Sequence, residues 1–322
     1  MKKIVNAIMD GEIVVGMDRD ADKVIIPEYA IDTTYQMPLT GLKCVEINSL
    51  NLLGKFIGLP QKLILNDTSK FKTFPDPSET SVFSLLRRPG LKWLELTDKN
   101  EYFKTIDGIF DTKDGEVLIK CPMGRTGDIN IPDGTKVIEM SAFEDCHISS
   151  VVMPDSLINI EARAFNNCQK LEHVDFGHGI TRIGSPCGGK IFYSCKKLKQ
   201  IEIPKQIEYI GQECFWGCGL ENLVLHNGLK QIDDNAFSFC ENSKTVSLPD
   251  SLECIGTNNL RYMNKIYTNI IPSGFIRSIA PNITIGASEY SSEVGTVILH
   301  YDNTIICIPR GGISNEDCMK LE

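Results

Sequence analysis

A phenylalanine lies three residues before a cysteine five times in the middle of this 322-residue chain. The five pairs are Phe143/Cys146, Phe165/Cys168, Phe192/Cys195, Phe215/Cys218 and Phe237/Cys240. Successive cysteines lie 22, 27, 23 and 22 residues apart, and a sixth copy has Leu260 and Met263 in place of the pair. A repeat of this length indicates a solenoid, in which each unit packs against its neighbours.

Each repeat begins with apolar residues that alternate with polar ones, and this period of two predicts a β-strand with one buried face. The predicted inward pairs are Val151/Met153, Val174/Phe176, Ile201/Ile203, Leu223/Leu225 and Val246/Leu248. A proline often ends the strand, and an apolar pair three residues apart follows, as in Leu157 and Ile160. The segment that carries the phenylalanine and the cysteine is predicted to form about one helical turn.

Fainter copies of the repeat precede the regular ones. Apolar runs that predict strands lie at Val24 to Ile26, Val45 to Ile47, Leu63 to Leu65 and Leu94 to Leu96. Terminal repeats of a solenoid are commonly atypical because they present a closed end to water. We therefore expect these runs to belong to the same architecture.

Two β-hairpins flank the regular repeats. The segment from Ile106 to Lys120 has two apolar runs around Lys113-Asp114-Gly115, and Asp-Gly between such runs is a strong hairpin signal. Towards the C-terminus, the segment from Val294 to Pro309 has two β-like runs around Asp302-Asn303. This second hairpin is expected to cap the last layer and to prevent edge-to-edge association.

The string VVMPDSLINIEARAFNNCQKL, from Val151 to Leu171, resembles the BspA-like, or Treponema-type, leucine-rich repeat. The resemblance is clear from Ile106 to about Ile266. It implies a β-rich leucine-rich repeat solenoid with one short parallel strand and a short helical turn per repeat, a β-hairpin insertion and a β-rich C-terminal cap. The expected organisation is degenerate repeats over 1–105, the hairpin and regular repeats over 106–265, and the last strand and cap over 266–322, in one continuous solenoid.

Composition excludes several classes of partner. Lys and Arg total 33 against 42 Asp and Glu, so the formal net charge is −9, which argues against nucleic-acid binding. No run approaches the roughly 18 apolar residues of a membrane helix, and the first residues lack the apolar core of a signal peptide. The prediction is a cytoplasmic monomer with no membrane insertion. The alternative is a cell-surface or secreted protein from which an export segment has been removed.

The cysteines do not predict a disulfide framework. Five of the twelve occupy one repeat position, where stacked side chains point in parallel and are badly aimed for bridging. Small apolar thiols packed in the core are the favoured interpretation. Cys187, in the insertion from Pro186 to Lys190, belongs to no column and is the thiol expected to be exposed and reactive. A thiol-dependent enzyme at that insertion is the remote alternative.

No other pattern satisfies the needs of catalysis or metal binding, so no catalytic residue, metal or cofactor is predicted. Cys121 and Arg125 have the wrong spacing for a cysteine phosphatase loop. Cys214 and Cys218 already occupy repeat columns, which favours core packing over a zinc site with the nearby His226. The run from Asp18 to Asp22 begins like a calcium loop but lacks its glycine and final glutamate, so a solvated turn is favoured.

The outward strand residues remain as the candidate binding surface. Two predicted columns cross the strands, one with Trp93, Asp128, Ser150, His173, Gln200, Asn222, Thr245 and Lys265, the other with Glu95, Asn130, Val152, Asp175, Glu202, Val224, Ser247 and Tyr267. Trp93 and Tyr267 are the residue types that dominate interfaces, and Glu95, Asp175 and Glu202 give the columns an acidic character. The resemblance implies a non-enzymatic protein that binds another macromolecule, a protein above all. The alternative is a bacterial surface adhesin that binds host or matrix proteins.

Overall fold

The computed structural model describes residues 3–11, 13–27, 30, 32–33, 37–47, 52, 56–66, 86–97, 100–184, 189–243, 245–263, 265–268, 272–275, 278, 291–293, 296–301 and 304–309. The chain forms two compact units, Met1–Gly127 and Asp128–Glu322. The predicted division at 105/106 and 265/266 within one continuous solenoid stays a prediction.

The first unit consists of short strands. They are β1 (Ile4–Asn6), β2 (Ile8–Asp10), β3 (Ile13–Gly16), β4 (Lys23–Ile26), β5 (Asp32–Thr33), β6 (Met37–Pro38), β7 (Cys44–Ile47), β8 (Phe56–Ile57), β9 (Lys62–Leu65), β10 (Trp93–Leu96), β11 (Phe103–Ile106), β12 (Ile109–Thr112) and β13 (Val117–Lys120). Strands β1, β4, β7, β9 and β10 form a parallel sheet in that order. The four faint apolar runs of the sequence therefore are strands, as predicted.

The register of this sheet explains its core. Val24 lies opposite Val45, Val45 opposite Leu63, and Leu63 opposite Leu94. All four side chains are fully buried. One apolar residue per coil thus builds a column inside the unit, as expected for strands with one buried face.

The predicted hairpin around Lys113-Asp114-Gly115 is confirmed, and a further strand precedes it. Strands β12 and β13 pair antiparallel on either side of that turn, and β11 pairs antiparallel with β12. Asp107 and Gly108 form the two-residue turn between β11 and β12, with φ of 49° and 75°. Two positive φ angles match the twist of a hairpin, and Asp-Gly adopts them readily.

The second unit repeats a coil of two strands and a turn segment. Its strands are β14 (Thr126–Asn130), β15 (Val137–Ile138), β16 (His147–Val152), β17 (Asn159–Ile160), β18 (His173–Asp175), β19 (Arg182–Ile183), β20 (Gln200–Glu202), β21 (Tyr209–Ile210), β22 (Asn222–Val224), β23 (Gln231–Ile232), β24 (Thr245–Ser247), β25 (Cys254–Ile255), β26 (Lys265–Tyr267), β27 (Ser291–Glu293), β28 (Thr296–Tyr301) and β29 (Thr304–Pro309). Strands β14, β16 and β18 form one sheet, and β20, β22, β24 and β26 belong to another. Strands β19, β21, β23 and β25 pair along a second side of the coils.

The core of the second unit is a stack of phenylalanines, which confirms the solenoid prediction. Rings of Phe143, Phe165, Phe192, Phe215 and Phe237 lie 4.8, 5.1, 5.4 and 5.4 Å apart, with successive planes within 11° of parallel. Each ring is at most 1% exposed. The predicted inward strand residues are buried as well, except for the half-buried Val174.

The predicted helical turn is not confirmed, because consecutive turns occupy that segment. Ser141 and Asp145 have left-handed φ angles of 58° and 62°, and most later coils repeat this pattern. The N–H groups alternate in direction: Phe143 donates to the carbonyl of Ala164 in the next coil at 2.7 Å, whereas Cys146 donates to Phe143 at 3.0 Å. About half of the backbone N–H groups in this segment thus bond to the next coil. In a helix, the N–H groups would instead bond to carbonyls of the same segment.

The cysteine column serves the same stacking. From the second coil onward, each thiol donates a hydrogen bond to the carbonyl of the phenylalanine one coil earlier: Cys168 to Phe143 at 3.1 Å, Cys195 to Phe165 at 3.2 Å, Cys218 to Phe192 at 3.0 Å and Cys240 to Phe215 at 3.2 Å. All the cysteines of the column are buried free thiols. Burial raises the pKa of the Cys240 thiol to about 12, so this thiol is in its protonated, hydrogen-donating form.

The predicted C-terminal hairpin is confirmed. Strand β29 continues the parallel sheet beside β26, with Ile306 opposite Ile266. It then pairs antiparallel with β28, which pairs with β27. The hairpin and β27 together add three strands to the sheet beside β26. Nowhere in the described part of the chain is there a helix long and apolar enough to cross a membrane.

Candidate functional site

The outward residues of β14, β16, β18, β20, β22, β24 and β26, from Asp128 to Tyr267, form a surface that we call the strand face. The pairing register assembles the two predicted columns across its strands. Ser150 lies opposite His173, Gln200 opposite Asn222, and Thr245 opposite Lys265 in the first column. In the second column, Val152 lies opposite Asp175, and Glu202, Val224, Ser247 and Tyr267 follow one another.

The second column exposes apolar groups between polar ones. Val152 is 43% exposed, Val224 is 51% exposed and Tyr267 is 41% exposed. Asn130, His173, Gln200, Thr245 and Ser247 are exposed as well, and Ser150 is half-buried. The side chains of Asn222 and Lys265 lie outside the described residues, although their backbone takes part in the register. The face therefore offers isolated apolar anchors on a polar surface.

The strand face is acidic. Asp128, Asp175 and Glu202 are exposed, and no lysine or arginine occurs among its described side chains. Basic residues beside the strands are engaged instead: Lys197 pairs with Glu172 at 2.9 Å and Lys199 pairs with Glu221 at 2.8 Å. The exposed carboxylates of Asp128, Asp175 and Glu202, the last of them 3.9 Å from the His226 ring, thus set the sign of the field over the face.

Hydrogen bonds hold one of these carboxylates in its charged form. The hydroxyls of Ser150 and Ser149 donate to Asp128 at 2.7 and 2.9 Å. These bonds, the one from Ser150 first, lower the pKa of the Asp128 carboxyl below its usual range. The negative charge at this end of the face therefore persists into mildly acidic solution.

A groove of about 560 Å³ adjoins the face where β14 and β16 end. Asn130, Val152 and Asp175 of the strand face line it together with Asp155 and His178 of the turns. The backbone N–H and the ring Nδ1 of His178 both lie 2.9 Å from the Asp155 carboxylate, and they lower the pKa of that carboxyl. The groove is polar at its turn side and apolar at Val152.

Trp93 and Glu95, the first members of the two predicted columns, belong to the first unit and are engaged there. The Trp93 ring lies 4.7 Å from the Arg125 guanidinium and 5.6 Å from the Lys62 ammonium. A Cβ atom at Gly108 would come within 2.5 Å of this ring. Glu95 forms an ion pair with Lys62 at 2.5 Å.

The residues considered for a cysteine phosphatase loop or a zinc site contact other protein groups. Cys121 is buried and directs its thiol to the Pro122 carbonyl at 3.7 Å, and Arg125 forms an ion pair with Asp107. The thiols of Cys214 and Cys218 donate to backbone carbonyls at 3.3 and 3.0 Å. Cys187 lies outside the described residues, so its predicted reactivity stays a prediction.

The acidic run near the start of the chain forms a turn held by lysines, as favoured from the sequence. Asp18 pairs with Lys3 at 2.7 Å, and Asp22 pairs with Lys43 at 2.7 Å. The hydrogen bond from Lys3 lowers the pKa of the Asp18 carboxyl. In the part of the chain that the structure describes, no three His, Cys, Asp or Glu side chains are grouped to hold a metal ion.

Sequence reasoning missed a second surface feature, on the turn segments. Tyr193, Trp216, Phe239 and Tyr262 form a row of contacting rings, with centroids 4.4, 4.7 and 5.5 Å apart. The available signal was an aromatic residue one or two positions after the buried phenylalanine or its Leu260 equivalent in four consecutive repeats. The pattern is hard to see in the sequence because Tyr193 and Trp216 follow the buried phenylalanine by one residue. Phe239 and Tyr262 follow Phe237 and Leu260 by two residues.

Comparison with known proteins bears on the repeats. The family described as BspA type leucine rich repeat region matches residues 125–188 and 188–283, with six copies. No curated protein matches the sequence. A leucine-rich repeat protein from Eubacterium ventriosum is 14% identical with a TM-score of 0.48, over 76% of this chain and 83% of its own. The pneumococcal vaccine antigen PcpA is 17% identical with a TM-score of 0.47, over 77% of this chain and 66% of its own. A leucine-rich repeat protein from T. pallidum is 26% identical with a TM-score of 0.39, over 49% of this chain and 80% of its own.

Proposed function

Residues 125–283 belong to the BspA-type leucine-rich repeat family, and from this premise we propose that the protein is a non-enzymatic repeat protein that binds another protein through its strand face. Leucine-rich repeat proteins are in general scaffolds for protein interaction. Repeat arrays bind in this way because one residue per repeat forms a column, and many weak contacts along the column add together.

The observation that carries the proposal is the second column of the strand face. Val224 and Tyr267 are 51% and 41% exposed on strands separated only by β24, and Glu202 lies directly opposite Val224 on β20. Tyrosine is enriched among the residues that dominate interfaces, where an apolar body and a polar tip are both satisfied. An apolar anchor beside an exposed carboxylate suits a protein partner better than a small ligand, because the surface is open.

The charge of the strand face specifies the partner further. Asp128, Asp175 and Glu202 would attract a basic surface and would repel an acidic one. Attraction of this kind raises the association rate at low salt more than it raises the affinity. The partner is therefore a protein with basic residues around an apolar contact. An adhesive role at a cell surface would use the same face, with a host or matrix protein as the partner.

The test is a comparison of two charge-matched double variants as baits in cell extract and in matrix-protein preparations. Asp175→Lys with Glu202→Lys reverses two charges on the strand face. Glu241→Lys with Glu253→Lys reverses two exposed charges elsewhere on the second unit and serves as the control. We expect wild type and control to retain the same basic protein, and the face variant to lose it while its circular dichroism is unchanged. Equal retention by both variants would contradict the proposal.

A further inference from the structure

The row of rings formed by Tyr193, Trp216, Phe239 and Tyr262 defines an aromatic ladder on the turn segments of the second unit. The rings of Tyr193 and Trp216 are stacked within 3° of parallel, and the later rings are tilted by 48° and 44°. None of these four side chains is fully buried, and Phe239 is 45% exposed. The ladder is therefore a surface feature, separate from the buried phenylalanine stack.

Backbone conformation shows that the fold does not require an aromatic residue in this place. Phe239 has a left-handed φ of 60°. The same position in the preceding four repeats has residues that are smaller, namely Asp145, Asn167, Ser194 and Gly217, with φ of 62°, 58°, 62° and 67°. A bulky residue with positive φ is uncommon and strained, and such strain is characteristic of functional positions.

The earlier repeats fill the same surface with polar contacts. The amide of Asn166 donates to Glu144 at 2.8 Å, and the amide of Asn167 donates to Asp145 at 2.6 Å. A polar ladder thus satisfies the turn segments of two coils without any aromatic ring. The four aromatic residues of the later coils are therefore not required for the coils to stack.

Two properties of the ladder describe its ligand. The four rings carry no charge, and Lys190, whose ammonium lies 5.3 Å from the centre of the Tyr193 ring, is itself paired with Glu213 at 3.3 Å. Trp216 and the two tyrosines each carry a hydrogen-bond donor at the edge of an otherwise apolar ring. The ladder therefore favours an uncharged chain that presents apolar groups and unsatisfied carbonyl oxygens.

The spacing of the rings selects among such chains. Steps of 4.4 and 4.7 Å from Tyr193 through Trp216 to Phe239 together span at most 9.1 Å. A polyproline II helix repeats every three residues at 3.1 Å each, or about 9.3 Å, and its carbonyls make no internal hydrogen bonds. An extended β-strand repeats about every 6.7 Å and does not match two ring steps. We propose that the aromatic ladder binds a proline-rich segment in the polyproline II conformation, as aromatic-lined surfaces of other proteins do.

The chain offers a built-in probe for this binding. It contains two tryptophans, Trp93 in the first unit and Trp216 in the ladder. In the full-length Trp93→Phe variant, the emission of Trp216 alone is observed. We expect titration with an acetylated, amidated nonaproline peptide to change this emission saturably, and a glycine–serine peptide of equal length to leave it unchanged.

Substitutions then assign the binding to the ladder, measured by calorimetry with the same peptide. Phe239→Asn should weaken binding by roughly tenfold or more, since loss of one aromatic anchor commonly removes at least 1.4 kcal/mol. Asparagine suits the left-handed backbone, as Asn167 shows, so this variant should fold. Glu202→Lys on the strand face should leave peptide binding unchanged, which separates this site from the proposed protein-binding face.

Three results would overturn the inference. The first is the absence of a saturable emission change. The second is equal affinity of wild type and Phe239→Asn for nonaproline. The third is an emission change that follows protein concentration instead of peptide concentration, which would make a second copy of the chain the occupant of the ladder.

Discussion

Two phenylalanines of one repeat, two residues apart, have opposite roles. Phe237 is 1% exposed within the buried stack, whereas Phe239 is 45% exposed in a left-handed conformation. Phe237→Ala should lower the free energy of unfolding by about 3–5 kcal/mol because it leaves a cavity. Phe239→Asn should change it by less than about 1 kcal/mol, because relief of backbone strain offsets the lost ring contacts. Urea denaturation measures the free energy of unfolding of both variants. A loss above about 2 kcal/mol for Phe239→Asn would show that the ladder stabilises the fold.

The thiol hydrogen bonds explain why the column is cysteine instead of valine. Cys218→Val preserves the approximate size of the side chain but removes the thiol donor from the Phe192 carbonyl, which keeps the backbone N–H of Cys195 at 3.2 Å as its other donor. We expect a loss of about 0.5–1.5 kcal/mol of stability, the usual net contribution of one hydrogen bond. Cys44→Val, at a half-buried strand position, is the matched control and should be close to neutral. Equal costs at the two positions would mean that the thiol contributes packing alone.

Asp111 makes the stability of the first unit depend on pH. The side chain is 1% exposed in β12, and burial raises the pKa of its carboxyl from 3.8 to about 7 against the opposing effects of the Ile106 backbone and Lys104. Because the folded pKa is the higher one, this residue's contribution is most favourable below pH 4 and is lost as the pH rises towards 7.

The loss can reach about 4 kcal/mol, since each pKa unit corresponds to about 1.4 kcal/mol. Asp111→Asn should remove this loss, because asparagine does not ionise. The variant should therefore be more stable than wild type at pH 8, and the difference in stability between them should shrink towards pH 4. Denaturation of wild type and variant at pH 4, 5.5 and 8 measures this. A stability difference that is independent of pH would show that the carboxyl does not titrate in this range.

At the scale of elements, strands were predictable and the turn segments were not. Alternation places Val151, Ile201 and Val246 inside, and the structure has strands there with these residues buried. The spacing of apolar residues in the turn segments is compatible with a helix and with paired turns alike. The residues that distinguish the two are Asn167 and Asn235, because asparagine tolerates the left-handed conformation that a helix excludes.

The turn between β11 and β12 carries its own prediction. Gly108 has φ of 75°, and a Cβ atom there would meet the Trp93 ring at 2.5 Å. Gly108→Ala therefore combines backbone strain with a steric clash, and we expect it to destabilise the first unit by about 2–4 kcal/mol. Gly134 has φ of 95°, but a Cβ atom there would have no other atom within 4 Å. Gly134→Ala therefore measures the backbone strain alone and should lower the stability by less than Gly108→Ala. Near-ultraviolet circular dichroism with thermal unfolding measures both, and equal costs would contradict the clash.

At the scale of the molecule, the two columns of the strand face could be predicted from the alternation of apolar and polar residues in each repeat. A parallel register then aligns equivalent residues of successive repeats. The engagement of Trp93 with Arg125 could not be predicted, since it depends on contacts between residues far apart in sequence. The aromatic ladder could not be predicted from one repeat, because it exists only when several coils are stacked.

The acidic strand face predicts how binding responds to salt. Attraction between Asp128, Asp175, Glu202 and a basic partner is screened over about 10 Å at 0.1 M salt. The association rate should therefore fall as salt rises from 0.05 to 0.5 M, whereas the dissociation rate should change less. Stopped-flow or surface plasmon resonance measurements with the captured partner test this. An association rate that is insensitive to salt would assign binding to apolar contacts alone.

Site-specific photocrosslinking tests the central claim most directly. A photoreactive amino acid is placed at Val224 on the strand face, 51% exposed, and in a separate protein at Ile158, 62% exposed and outside the strand face. Both positions carry an exposed branched apolar side chain, so they differ in location and little else. We predict a covalent adduct with the captured partner from position 224, its loss when Asp175 and Glu202 are both changed to lysine, and none from position 158. An adduct from position 158 with none from position 224 would contradict binding through the strand face.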